Sequence, residues 1–212
     1  ATYDKIHLFD ATLPGVKAPG LRERKKGELR RELHRTALEL FRKQGFEATP
    51  IDAIAAAAGV SRRTVFRYFT SKEAMVFEGY AERLERFRAL AQRLPSDASA
   101  LAAVRRACLE IAREYQVDRV AVLAQHRLVQ SSPALVAHEL ELDRGWLGSI
   151  EQVLTRELPP FEARILAGAT FGAIRAALAT WFEAKGRVDL VKIGGQAFDV
   201  LDAGERPRRR KR

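Results

Sequence analysis

The sequence predicts an all-α fold: an N-terminal three-helix unit containing a helix-turn-helix, then a larger helical body, about nine helices in total. Two observations carry that expectation. Apolar residues recur at steps of three and four along nearly the whole chain, and Gly, Pro, Ser or Thr stands where most of the periodic runs begin or end. No run alternates apolar and polar at period two convincingly, and no fixed-period repeat is found. A composition of 47% apolar and 30% charged residues over 212 positions is that of a soluble globular chain able to bury a core without metals. Its single cysteine, Cys108, excludes an intrachain disulfide.

Residues 1–20 are punctuated by Pro14-Gly15 and Pro19-Gly20 and are expected to form a flexible arm with no apolar leader core. A first helix is expected from Glu28, with Leu29, Leu33, Ala37, Leu40 and Phe41 on its apolar face and Gly45 at its end. Thr49 has the chemistry of an N-cap and Pro50 suits the first position of a second helix, whose stripe is Ile51, Ile54, Ala55 and Ala58. Gly59-Val60-Ser61 forms the turn. Ser61 caps a third helix, Arg62 to Phe69, that buries Val65 and Phe69. Ser71 opens a long fourth helix with the stripe Val76, Tyr80, Leu84, Phe87, Ala91, Leu94, stopped by Pro95. The fifth carries Leu101, Val104, Cys108, Ile111 and Tyr115. Asp118 caps a sixth that ends near Gln130, and Ser132-Pro133 starts a seventh through Leu154. Pro159-Pro160 separates it from an eighth, Phe161 to Ala184. A weaker ninth runs from Val188 to about Leu201 and contains Gly194-Gly195. The resulting domains are an arm (1–20), the helix-turn-helix domain (21–70), the helical body (71–204) and a basic tail expected to be disordered (205–212).

The net charge of +10 is local. Residues 21–70 hold 12 basic and 6 acidic side chains, and residues 205–212 hold 6 and 1, whereas residues 71–204 hold 17 and 18. A module suited to a polyanion is thus joined to a neutral one. Within the basic module, Ala55 is small where the two short helices approach, and Gly59 can take the left-handed backbone of the turn. Ile54 and Val65 are spaced to meet between them. The third helix then exposes Arg62, Arg63, Thr64, Arg67 and Tyr68, the cationic and hydroxyl groups that base edges and phosphates require.

Residues 28–75 resemble the DNA-binding domain of the TetR family of bacterial transcriptional regulators. The resemblance lies in Ala37, Phe41, Gly45-Phe46, Thr49, Ile54-Ala55, Ala58-Gly59-Val60-Ser61, Thr64-Val65-Phe66, Tyr68-Phe69 and Ser71-Lys72-Glu73. It implies a cytoplasmic repressor that binds a palindromic double-stranded DNA operator as a homodimer and is released by a small molecule. Carried over by position, Arg62, Arg63 and Arg67 would contact bases, and Thr64, Tyr68 and Lys72 phosphates. Thr49, Ser61 and Phe66 complete the expected DNA surface, with Arg24, Lys25 and Lys26 as an arm along the backbone or a minor groove. Three positions depart from the family pattern: Phe66 where a tyrosine is common, Pro50 where a second threonine is common, and acidic Asp52 where a basic residue is common.

The family resemblance also assigns the body to ligand binding and dimerisation. The eighth helix is apolar nearly all round and must be covered on most faces. Ile165, Gly168, Ala169, Gly172, Ala176, Val191 and Phe198 are the expected dimer contacts. The expected pocket, enclosed by the fourth to eighth helices, is lined by Phe77, Tyr80, Leu84, Cys108, Tyr115, Leu123, His126, Arg127, Gln130, Trp146, Phe171, Arg175 and Trp181. The segment Arg127 to Leu135 resembles a family branch with an acyl-CoA-like ligand domain, which implies a lipophilic effector such as an acyl-CoA or fatty acid. Arg175 interrupts the longest apolar stretch, which argues against a membrane span or partner. His7, His34, His126 and His138 form no metal-ligand spacing, and no nucleophile elbow or phosphate loop occurs, so neither metal nor cofactor nor catalysis is expected. A sequence-indifferent DNA-organising protein, suggested by the tail, and a helical enzyme acting on a lipophilic substrate are the alternatives.

Overall fold

In the computed structural model residues 20–93 and 98–205 are described. All ten elements among them are α-helices. The expected arm (1–20, apart from Gly20) and nearly all of the basic tail lie outside the described residues. The chain forms two compact units, one running to Glu78 and adding Arg127–Val136, the other comprising Gly79–His126 and the chain from Ala137 on.

The first unit is built on α1 (Leu21–Gln44). Leu33, Ala37 and Phe41, one turn apart, are buried on its inner face, and Phe46 folds back on Phe41 with ring centroids 5.1 Å apart. Each large side chain buried this way contributes about 1.5–3 kcal/mol. α1 starts at Leu21 rather than Glu28, so Arg24, Lys25 and Lys26 sit on exposed helical turns and not on an extended arm. α2 (Ile51–Ala57) and α3 (Arg62–Tyr68) enclose Ile54 and Val65, both fully buried. α4 (Lys72–Val76) adds Met75 and Val76 to the same unit. The unit therefore extends beyond the expected border at residue 70. It also includes residues 127–136, where Val129 and Leu135 are buried and the Ser132 hydroxyl donates to Glu47 at 2.5 Å.

The long fourth helix expected after Ser71 is two helices. α4 ends at Val76, and α5 (Tyr80–Gln92) begins after Gly79, whose φ of +82° is left-handed. Helical spacing of the apolar residues continues across this break, so periodicity alone does not reveal it. Glu78 is fixed just before it by Arg30 at 2.9 Å and His34 at 2.8 Å, both on α1.

The second unit comprises α5, α6 (Ala100–Val117), most of α7 (Arg119–Gln130) and of α8 (Pro133–Leu154), α9 (Pro160–Glu183) and α10 (Leu190–Glu205). Phe87, Val104, Ile150, Leu154 and Phe198 form its core, with alanines 103, 107, 163 and 167 admitting close helix contacts. The Ser99 hydroxyl caps α6 by accepting from Ala102 N–H, and Pro160 occupies the first turn of α9. By length and composition α9 could cross a membrane, but it packs against α10.

Candidate nucleic-acid interface and ligand cavity

α3 is held by two local devices. Gly59 adopts φ +66° in the turn, where an added Cβ would meet nothing within 4 Å; the backbone, not crowding, selects glycine. The Ser61 hydroxyl then accepts from Thr64 N–H at 3.1 Å and bonds the Thr64 hydroxyl at 2.9 Å, capping the helix. With Val65 turned inward, Arg62, Arg63, Phe66 and Arg67 are exposed and Tyr68 is half-buried. The outward residues differ in freedom. Arg62 pairs with Asp52 at 3.0 Å and stands over the Phe66 ring; Arg67 stands over Tyr68. Arg63 has no hydrogen bond or ion pair among the described residues. Asp52, acidic where the family is commonly basic, thus orients an arginine through a solvent-exposed pair worth about 0–1 kcal/mol, weak enough to give way to a phosphate.

Two residues expected on the DNA surface are engaged inside the unit. Thr49 is fully buried and its hydroxyl donates to Gly45 O at 2.7 Å, so it caps the end of α1 rather than the start of α2, which has no side-chain cap. Lys72 donates to Phe46 O at 2.7 Å and Thr49 O at 3.2 Å, and its ammonium lies 4.1 Å from the Phe46 ring centroid.

The second unit holds a cavity of about 130 Å³ between α5, α6, α8, α9 and α10. It is lined by six of the expected residues: Tyr80, Cys108, Tyr115, Trp146, Phe171 and Arg175. The others lie elsewhere. Phe77 is buried in the first unit, and Arg127 and Gln130 are exposed there. Leu84 packs towards Gly145 on α8. His126 stacks on Phe182, 3.7 Å between centroids, behind the wall that Phe182 supplies, and Leu123 shares α7, which contributes no lining residue. Trp181 is fully buried outside the lining, with its indole N–H unpartnered among the described residues. α10 takes the place expected of α7. Its Gly194 lines the cavity, where a Cβ would approach Leu109 Cδ2 to 3.2 Å.

Two acidic residues missed by the sequence reading complete the lining: Glu139 and Asp143, one turn apart on α8. Arg175 lies 3.9 Å from Glu139 and 3.5 Å from Asp143, and Tyr80 donates its hydroxyl to Asp143 at 3.2 Å. Burial pushes the Glu139 carboxyl above its ordinary range, partly opposed by Arg175. Burial, reinforced by the Asp143 charge, raises the Tyr80 phenol and keeps it a donor. Burial pushes the Cys108 thiol up to about 12, and burial with the Arg175 charge lowers His126, leaving that imidazole neutral near pH 7.

A capped helix-turn-helix presenting arginines, joined to a helical unit with its own cavity, is the architecture of a ligand-responsive DNA-binding regulator. Residues 33–78 match the family described as bacterial regulatory proteins, tetR family, and residues 98–206 match the MftR C-terminal domain. The chain belongs to the TetR family of bacterial transcriptional regulators. MftR of Mycobacterium tuberculosis, named as a mycofactocin biosynthesis transcriptional regulator, is 29% identical over 172 residues, 79% of this chain and 86% of that protein. RutR of Escherichia coli, an HTH-type transcriptional regulator, is 31% identical over 150 residues, 65% of this chain and 71% of that protein. In fold the chain is similar to Thermus thermophilus FadR, a transcriptional repressor in complex with lauroyl-CoA, with a TM-score of 0.62 at 23% identity over 86% of this chain and 98% of that one.

Proposed function

We propose that this regulator binds a palindromic operator as a homodimer in the bacterial cytoplasm, represses transcription there, and is released by a small lipophilic effector held in the second unit. The observation that carries the reading is α3: Arg63 exposed and without an ion pair among the described residues, flanked by Arg62 and Arg67, on a helix capped by Ser61. Arg62, Arg63 and Arg67 read base edges, while Tyr68, Arg24, Lys25 and Lys26 meet phosphates. Thr49 and Lys72 take part only by fixing the loop between α1 and α2. Two such helices enter successive major grooves about 34–36 Å apart.

Release works by population shift. The chain leaves the first unit at Glu78, turns at Gly79, and supplies Tyr80 to the cavity at once. An effector that prefers one path of the chain through Gly79 changes the separation of the two recognition helices. A differential of about 1–3 kcal/mol changes operator affinity roughly 5–150-fold. An acyl-CoA effector, suggested by the sequence segment 127–135, draws no support from Arg127, which is exposed outside the cavity. The role proposed is binding, not turnover, in line with the transcriptional regulators to which the chain is related.

Selection of bound duplexes from a random pool tests the reading. An inverted repeat with half-sites one helical turn apart is the expected result. Binding that is steeply salt-dependent but indifferent to sequence would replace it with a DNA-organising role.

A further inference from the structure

The cavity's walls and its charges point to one class of ligand. Tyr80, Tyr115, Trp146, Phe171 and Phe182 present aromatic surface to it. Its charged groups are two carboxylates, Glu139 and Asp143, against the single guanidinium of Arg175, a formal balance of −1. Arg175 is itself 44% exposed and meets the carboxylates only at 3.5–3.9 Å, so it does not neutralise both. The guanidinium of Arg83 stands over the Tyr115 ring, 5.5 Å from its centroid, but Arg83 does not line the cavity and its charge also acts on the Glu114 carboxylate. His126 stacks behind Phe182, and the Tyr80 hydroxyl donates to Asp143 without altering its charge.

An anionic headgroup entering here would face two carboxylates for one guanidinium, at a site where burial weakens screening. A cation would bring the balance to zero and lie against ring faces that attract positive charge. Size narrows the class further. About 130 Å³ is comparable with cavities of roughly 150 Å³ that hold one benzene ring, and is well short of the room a long acyl chain takes.

We propose that the cavity takes a small amphiphilic cation, an ammonium or amidinium group carried on a compact apolar or aromatic body, with Glu139 and Asp143 as its counter-charges. The proposal rests on reading this cavity as the effector site. Glu139 and Asp143 share one face of α8, so the two carboxylates approach the charged group from one side while the rings of α5, α6 and α9 cover the apolar part.

Three isosteric or near-isosteric probes test it on the purified full chain: phenyltrimethylammonium, uncharged tert-butylbenzene and benzoate. Calorimetry measures affinity, and quenching of the fluorescence of Trp146, which lines the cavity, reports binding there. The cation is expected to bind roughly tenfold or more tightly than either other probe. Glu139→Gln and Asp143→Asn should each remove most of that preference, and Arg175→Gln should enlarge it. The last change has the opposite sign, so general damage to the fold cannot imitate the pattern. Tert-butylbenzene or benzoate binding as tightly as the cation, or a preference unchanged in both acid variants, overturns the ligand class and leaves the effector cavity standing. Failure of all three probes to bind overturns the effector-site reading together with the proposal.

Discussion

At the scale of single residues, neighbours determine what each side chain is free to do. Arg63 projects from α3 without an ion pair among the described residues, whereas Arg62 is shared with Asp52 and Lys72 is drawn into the first unit. Arg63→Ala is therefore expected to weaken operator binding by roughly one to two orders of magnitude, the loss of one bidentate base contact at about 1–3 kcal/mol, with an unchanged melting temperature. Fluorescence anisotropy with the selected operator measures the first and calorimetry the second; normal affinity would remove Arg63 from the base-reading set. Thr49→Val should do the reverse, lowering stability by about 1 kcal/mol through loss of the bond to Gly45 O, with little direct effect on DNA. Cys108 gives a pH test. Its folded thiol holds its proton up to about 12, whereas an unfolded thiol loses it near 8.5. The contribution to stability is complete below the unfolded value and is lost as pH rises towards 12. A thiol reagent at pH 8 should accordingly label unfolded chains far faster than folded ones, and equal rates would refute a half-buried, protonated Cys108.

At the scale of elements, local chemistry explains what was legible in the sequence and what was not. α3 could be read because its signals are consecutive: Gly59 for the turn, Ser61 for the cap, Val65 inward and arginines outward. Ser61→Ala is expected to cost about 1 kcal/mol and to lower operator affinity through fraying of α3, checked by chemical denaturation and binding to the same duplex. The break between α4 and α5 was hidden, because Val76 and Tyr80 keep helical spacing while Gly79 turns left-handed between them. Gly79→Ala should destabilise the fold by about 1–2 kcal/mol, since alanine lacks glycine's freedom at φ +82°. The acids of the cavity were hidden for a different reason. Glu139 and Asp143 recur one turn apart on a helix, a pattern shared by any solvated face. Only packing of α5, α6 and α9 around them distinguishes the two cases. Likewise His126 and Leu123 had the residue types of a pocket wall, but they lie on α7, and α10 occupies the side that α7 was expected to fill.

At the scale of the whole molecule, the outer face of α9 decides whether one chain suffices. Phe161 is 74% and Ile165 57% exposed, and Gly168, Ala169, Gly172 and Ala176 continue the same exposed face. A Cβ added at Gly168 or Gly172 would meet nothing within 4 Å, so packing within this chain does not require glycine at either position. In the proposed homodimer, close approach by the same face of a second copy would require it, and two-fold symmetry makes one such stripe sufficient for a closed pair. Of the expected contacts, Phe198 is excluded because it is buried in the second unit's core, and Val191 is half-buried. Val200, exposed on α10, is better placed. Gly172→Glu should therefore leave the chain helical by circular dichroism while shifting sedimentation from dimer to monomer. Loss of pairing removes the second half-site from reach, so operator affinity should fall by roughly 10²–10⁴, although no residue touching DNA has changed. A monomeric variant that kept full operator affinity would mean that one recognition helix supplies all the binding, and the homodimer would have no part in it.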